Sequence, residues 1–223
     1  MMKKFNIVTG LFLVVIFAGC NKNKLNRFPE DQPNSATYYT TTDQLVLAVN
    51  AAYSNLSYAQ DGYPYLMQLE CTSDLMWQRP TTDAQAIGLG QHTPATTMVR
   101  TIWNQFYTGI GKCNMLLENM SKAKASTPAA LFRRIEGEAR FLRAYYYGNL
   151  ISLYGDVPLV NKSINPDESF LPRTPRAEVL NFIFRDLDSA IAQLPLSYSG
   201  IDIGRATNSA AMAYKARIAL YNG

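Results

Sequence analysis

Glu136 to Leu159 reads EGEARFLRAYYYGNLISLYGDVPL. Ile135, Ala139, Leu142, Tyr146, Leu150 and Leu153 step by three and four residues, which sets them on one face of a helix. Glu136, Arg140 and Arg143 interleave with them. Glu136 stands four residues before Arg140, the order that adds a small ion-pair contribution to a helix. The pattern stops at Gly155-Asp156-Val157-Pro158, because glycine can take the left-handed conformation that ends a helix and proline cannot continue one. Asp156, next to that glycine, is of the type that bonds the backbone of the turn. An amphipathic helix of this length is stable only against partners.

Four further helical segments supply them. The first runs from about Asp43 to Tyr58, with Leu45, Val49, Ala52 and Leu56 on one face and Thr42 or Asp43 as cap. The second runs from about Met98 to Lys122 and carries Ile102, Phe106, Ile110, Leu117 and Met120; Trp103, beside Phe106 and Tyr107, is expected in the core. The central helix is expected to begin at Pro128, a residue suited to the first helical position, with Thr127 as N-cap. The same device at Thr174-Pro175 opens a helix through Val179, Ile183, Leu187, Ile191 and Leu194 that ends at Pro195. The last starts after Thr207 and holds Ala210, Tyr214, Ile218 and Tyr221. Loops of about 20 and about 12 residues join the last three helices, and antiparallel packing of consecutive helices into a right-handed array is the simplest arrangement. Ala190 with Leu194-Pro195 resembles the end of a tetratricopeptide second helix. The fold class is therefore all-α, a tetratricopeptide-like helix array with long irregular loops.

Between Gln60 and Thr97 no period is sustained: Asp61-Gly62, Pro64, Pro80, Gly88, Gly90 and Pro94 interrupt it. A loop of this length in a small domain is usually functional. It holds Asp74, Trp77, Arg79, Gln91 and His92, the one histidine of the chain.

The N-terminus has the form of a targeting segment. Lys3 and Lys4 precede a nearly apolar run from Phe5 to Ala18, shorter than a bilayer span requires. It ends at Phe17-Ala18-Gly19-Cys20, where small residues before a cysteine resemble a lipobox with Phe17 in place of the usual Leu. Two readings follow: processing with acylation of Cys20, or an ordinary secretory signal with a cysteine at its end. Two or more acyl chains, at about 0.8 kcal/mol per buried methylene, anchor a protein stably without a membrane span. Residues 1–19 are then a signal peptide and 20–35, polar with Pro29 and Pro33, a flexible tether to a helical domain over 36–223. At the other end the helical pattern reaches Tyr221-Asn222-Gly223 with nothing after it to cover the new helix, so a longer protein is expected.

The 223 residues carry a formal net charge of +4. Without Lys3 and Lys4, 19 basic residues stand against 17 acidic ones, scattered, which gives no basis for nucleic-acid binding. Cys71 and Cys113 could pair in an exported protein, though Cys113 among Ile110, Met115 and Leu116 has the setting of a buried thiol. One histidine excludes a multi-histidine metal site, and there is no Cys-x-x-Cys, phosphate-binding loop or nucleophile elbow, so no cofactor is expected. Gly109-Ile110-Gly111 lies inside a helical pattern and is no dinucleotide fingerprint. Glu70 with Asp74 is the one carboxylate pair in the irregular region and the basis of a glycosidase alternative. Asp186 and Asp188, two apart on a helix, point to different sides. His92 is an ordinary solvated loop histidine unless it meets a ligand. Binding remains: sugars stack on aromatic rings while amides, carboxylates and guanidinium groups take the hydroxyls. Asp74, Trp77, Arg79, Gln91 and His92 have those types; Trp77 is either a ligand contact or a residue packed under the loop.

The helix from Glu138 to Tyr147 and its exit from Leu153 to Leu159 strongly resemble the signature of the SusD/RagB family of Bacteroidetes outer-membrane lipoproteins. Three more segments agree in order: Trp103, Tyr107, Ile110 and Asn114; Arg173, Val179, Asp186 to Ile191 and Leu194-Pro195; and Gly204 to Thr207 with Ala210-Ala211 and Ala216-Arg217. Leu25 and Pro29 fit the family's N-terminal start. The resemblance implies an α-helical, non-enzymatic lipoprotein on the outer face of the outer membrane. Such a protein caps a SusC-like TonB-dependent transporter and captures an oligosaccharide or peptide. It also implies that this chain is the N-terminal portion of a longer fold. Asn21-Lys22-Asn23-Lys24 lacks the acidic residues that often follow the acylated cysteine in surface-exported members. The rival from another class is a tetratricopeptide-like scaffold that binds a protein groove and no nutrient.

Overall fold

The computed structural model describes residues 38–57, 59–60, 63–77 and 82–222. The signal segment, Cys20, the tether and Arg79 lie outside the described residues. Seven α-helices are described: α1 Thr42–Tyr53, α2 Tyr65–Glu70, α3 Asp83–Gly88, α4 Thr97–Asn119, α5 Ala129–Tyr154, α6 Arg176–Gln193 and α7 Asn208–Asn222. A two-residue antiparallel ladder joins β1 Ala59–Gln60 to β2 Tyr63–Pro64, with Ala59 opposite Pro64. The fold is helical, as the sequence pattern requires. No helix among the described residues is long and apolar enough to cross a membrane.

α5 is the centre. α6 packs on it most extensively, α4 next, and α1 and α7 reach it as well. Ile135, Ala139, Leu142, Tyr146 and Leu150 are fully buried, but Leu153, assigned to the same stripe, is 43 % exposed. In that last turn the packing falls to Ile151, 1 % exposed, and to Tyr154, whose hydroxyl donates to the Val99 carbonyl of α4 at 2.7 Å. A helix covered on several sides must also bury residues from its polar face, and Glu138 and Arg143 are both buried. Each is therefore paired. Arg143 grips Asp186 of α6 with Nε at 2.7 Å and Nη2 at 2.9 Å, and donates Nη1 to Asn114 Oδ1 of α4 at 2.8 Å. Asn114 in turn donates to the carbonyls of Val160 and Lys162. One guanidinium thus ties α4, α5, α6 and the chain after the α5 exit. The expected Glu136–Arg140 pair is present at 2.9 Å, and Arg140 also reaches Asp186. Asp188 faces outward and pairs with Lys215 of α7.

Glu138 meets Arg134 at 3.3 Å and Arg205 at 2.9 Å, and Tyr198 donates to it at 3.3 Å. Asp202 joins both arginines. Burial pulls Arg205 down, but Glu138 and Asp202 carry it above its ordinary value. For Glu138 itself, burial outweighs the two guanidinium groups and lifts its pKa above the usual 4.5. A carboxyl raised on folding is bound to its proton more tightly in the folded chain. Its stabilising contribution is complete below the unfolded value and is lost as pH climbs through the raised one. Glu138→Gln abolishes that loss. The stability of this variant relative to the unmodified chain should rise as pH climbs from the ordinary carboxylate range to neutrality in paired thermal melts; a difference independent of pH would refute the assignment.

The three consecutive tyrosines of α5 are turned about 100° apart by the helix and do three jobs. Tyr145 stacks at 5.2 Å from Tyr214 of α7. Tyr146 donates to the carbonyl of Ala52 at the end of α1 at 2.7 Å. Tyr147 donates to the carbonyl of Val160 at 3.0 Å and accepts from its N–H at 2.7 Å. Gly155 ends α5 with φ +68° and ψ −123°, a conformation essentially confined to glycine. Tyr107 then donates to the carbonyl of Pro158 at 2.7 Å, and Val157 forms an antiparallel bridge with Thr174. Asp156 does not bond its own turn: its carboxylate accepts the N–H of Arg176 at 2.8 Å and caps α6 from 20 residues away. The exit therefore fixes where the next helix begins.

Other boundaries differ by the turn chemistry. α1 is capped by Thr41, not by Thr42 or Asp43. Thr41 accepts from the Gln44 N–H and Gln44 reaches back to the Thr41 N–H, a capping box. α1 ends at Tyr53 and passes into a 3₁₀ turn, Ser54–Leu56. α4 likewise tightens into Met120–Ala123. Trp103 is only partly buried. It lies 4.9 Å from Tyr107 and 5.1 Å from Tyr154 at the rim of the core, with Arg173 over its ring. Cys71 and Cys113 are unpaired thiols, which removes the disulfide, and burial pushes Cys113 up to about 12.

Candidate functional site

The segment without sustained periodicity contains two six-residue helices, α2 and α3, each too short to leave a helical period in the sequence. α2 is fastened from below by Tyr65, buried edge-on against Phe106 of α4 at 5.4 Å. Its end is locked by two hydroxyls. Thr72 donates to the carbonyl of Leu69 and Ser73 to that of Glu70, each at 2.7 Å. Ser73 also accepts the Leu75 N–H at 3.2 Å. Beyond this anchored turn, Ser73 to Trp77 stand in solvent, with Leu75 79 % and Trp77 72 % exposed.

α3 is held by Asp83, whose carboxylate accepts the Met98 N–H at 2.8 Å and thereby caps α4. At its other end Gly90, with φ +69°, makes the left-handed turn of a Schellman motif. Gly90 N–H bonds the Ile87 carbonyl at 2.9 Å and Gln91 N–H the Ala86 carbonyl at 2.8 Å. Gln91 and His92 follow, both exposed. The two segments meet where Gly88 lies against the Thr72 carbonyl.

Of the five expected ligand residues, Asp74 and Trp77 therefore share one exposed turn, and Gln91 and His92 share the adjoining one. Trp77 is 72 % exposed, so among the described residues nothing buries it beneath the loop. An indole in solvent on a fastened turn offers an apolar ring face for stacking, with a carboxylate, an amide and an imidazole on the same two segments for hydroxyl groups. Glu70 and Asp74 are both exposed. They lack the enclosing apolar walls that a proton-donating carboxyl needs in glycoside hydrolysis. Among the described residues no group of three or more His, Cys, Asp or Glu could hold a metal ion.

A second concavity escaped the sequence reading. A cleft of about 380 Å³ between α2, α5 and α7 is lined by Tyr65, Tyr145, Asn149, Tyr214, Arg217 and Tyr221, among others. The seven-residue spacing of Tyr214 and Tyr221 was its one visible signal. Tyr214 has its hydroxyl engaged with the Tyr145 carbonyl at 3.2 Å.

Comparison with known proteins bears on what these surfaces serve. Residues 30–220 match a SusD-like family model described as starch-binding associating with outer membrane. A SusD-like protein of Formosa agariphila is 26 % identical over 227 residues, which is 99 % of this chain and 43 % of that protein. A SusD-like protein of Bacteroides ovatus is 25 % identical over 92 % of this chain and 37 % of its own length. Among solved structures, a laminarin-binding SusD-like protein superposes with a TM-score of 0.75 at 26 % identity, over 82 % of this chain and 41 % of that one. A surface glycan-binding protein from Bacteroides uniformis gives 0.72 at 25 %, over 81 % and 42 %. The chain thus spans less than half the length of the relatives it matches.

Proposed function

Because the chain belongs to the SusD-like family, we propose that it is the N-terminal part of a cell-surface glycan-binding subunit that captures its ligand without turning it over. In this reading residues 1–19 direct export and Cys20, acylated, anchors the protein in the outer membrane with its helical domain facing outward. Residues 20–35 are the tether to that domain. The partner is a SusC-like TonB-dependent transporter, which imports the oligosaccharide or peptide bound by the irregular loops. Names of relatives support the class: one binds laminarin and another is called a surface glycan-binding protein.

The observation that carries the reading is Trp77, 72 % exposed on the segment that follows the turn fastened to α2 by Thr72 and Ser73. An indole left in water, as the rings of Phe170 and Tyr221 also are, is suited to the face of a sugar ring. Trp77→Ala should weaken binding of any glycan the chain takes from a polysaccharide panel by roughly tenfold, the loss of one stacking contact of ~1.4 kcal/mol. Its melting temperature should stay put. Isothermal titration against laminarin, starch oligosaccharides and other neutral and acidic glycans measures this. Binding to none of them, with a peptide library bound instead, would redirect the reading to peptides; identical affinities for both proteins would remove Trp77 from the site.

A further inference from the structure

We infer that Gly88 is a positioning residue for the Trp77 turn, and that Ser73–Trp77 and Gly88–His92 meet a ligand as one surface; this deepens the glycan-binding reading and rests on it. Two glycines at the end of α3 are there for different reasons. Gly90 has φ +69° and nothing within 4 Å of where a Cβ would stand, so its role is conformational. Gly88 is the reverse. It ends α3 outside the left-handed region, where alanine would ordinarily be favoured over glycine by up to ~1 kcal/mol. A Cβ there would lie 2.8 Å from the Thr72 carbonyl oxygen and 3.1 Å from its carbon. These are backbone atoms and cannot rotate aside.

The Thr72 backbone is itself held. Its N–H bonds the Leu69 carbonyl at 3.0 Å and its hydroxyl bonds the same carbonyl at 2.7 Å. Ser73 repeats the arrangement on Glu70 at 3.1 and 2.7 Å. A side chain at position 88 must therefore push the end of α3 away from the turn or displace the turn that carries Asp74 and Trp77. α3 has little room to yield, because Asp83 ties its other end to the start of α4. The small residue at 88 sets the spacing between the indole on one segment and the amide and imidazole of Gln91 and His92 on the other.

The test uses Gly88→Ala in the full chain, with Gly111→Ala as control. Gly111 lies in α4 with nothing within 4 Å of an added Cβ. The chain has two tryptophans, so a Trp103→Phe background isolates Trp77 emission and its quenching by acrylamide. Gly88→Ala should shift that emission and quenching, and lower affinity for the panel glycan bound by the unmodified chain roughly three- to tenfold. Helix content should hold, the melting temperature should fall modestly because the added Cβ crowds the Thr72 carbonyl, and Gly111→Ala should change neither emission nor affinity. A Trp77→Ala/His92→Ala double-mutant cycle should be non-additive, since both residues touch one ligand. Unchanged emission with Gly88→Ala overturns the positioning role. Shifted emission with unchanged affinity, or an additive cycle, overturns the single surface. Failure of every glycan to bind overturns the glycan reading instead, and the emission result still decides the role of Gly88.

Discussion

Arg143→Met is expected to lower the free energy of unfolding by about 3–5 kcal/mol, because it leaves the Asp186 carboxylate buried with one guanidinium fewer. Both Arg143–Asp186 bonds and the bond to Asn114 disappear together. Arg140, at 3.2 Å and 30 % exposed, remains as a weaker partner. The effect reaches beyond the pair. Asn114 holds the carbonyls of Val160 and Lys162, and without Arg143 its own oxygen is left bare in the core. Arg143 also lies 4.8 Å over the Phe182 ring, a contact that methionine replaces only as packing. For a chain of this size the melting temperature should fall on the order of 10 °C. Arg143→Met/Asp186→Leu should be milder than either single change, since no buried charge is then unpaired. A fall of under ~2 °C for Arg143→Met would show that the network orients the helices without stabilising them.

That network also marks where sequence reasoning stopped. Period alone assigned Ile135, Ala139, Leu142, Tyr146, Leu150 and Leu153 to the interior, and all but Leu153 are buried. The same period leaves Arg143 off the apolar stripe, yet it is buried. It is inside because α5 is covered by four other helices, and a helix with that many neighbours has no fully solvated side. Proline and threonine before α5 and α6 gave their starts to within a residue or two. The Gly-Asp-Val-Pro exit gave the stop, but not the cap that Asp156 places on α6. That cap joins residues 20 apart, and no local pattern encodes it.

At the candidate site the residue types were legible and their arrangement was not. Trp77, Gln91 and His92 stood out by chemistry. The surface proposed for them depends on Gly88, the last residue of α3, lying against Thr72 just past the end of α2, and neither six-residue helix leaves a period in the sequence. The tyrosine-lined cleft is harder still, because Tyr65, Tyr145, Tyr214 and Tyr221 come from three helices distant in the chain. The family resemblance rests on the helices around α5, and the match over residues 30–220 bears out the family.

The second large effect is expected at Tyr146, whose ring is fully buried and lies against Gly109 of α4. Tyr146→Ala should cost about 3–5 kcal/mol: the ring leaves a cavity, and the carbonyl of Ala52 loses the hydroxyl that binds it at 2.7 Å. Tyr146→Phe isolates the hydroxyl and should cost about 1 kcal/mol. Gly109 gives the cycle its sign. A Cβ at that position would lie 2.5 Å from the Tyr146 ring, so Gly109→Ala in the unmodified chain should destabilise by roughly 1–3 kcal/mol despite the better helix propensity of alanine. In the Tyr146→Ala background the obstacle is gone. There the same substitution fills part of the cavity and gains up to ~1 kcal/mol of propensity, so it should stabilise. Urea denaturation of the four proteins measures the coupling directly. If Gly109→Ala destabilises equally with and without the Tyr146 ring, the close approach of α4 to α5 is not what the glycine is there to permit.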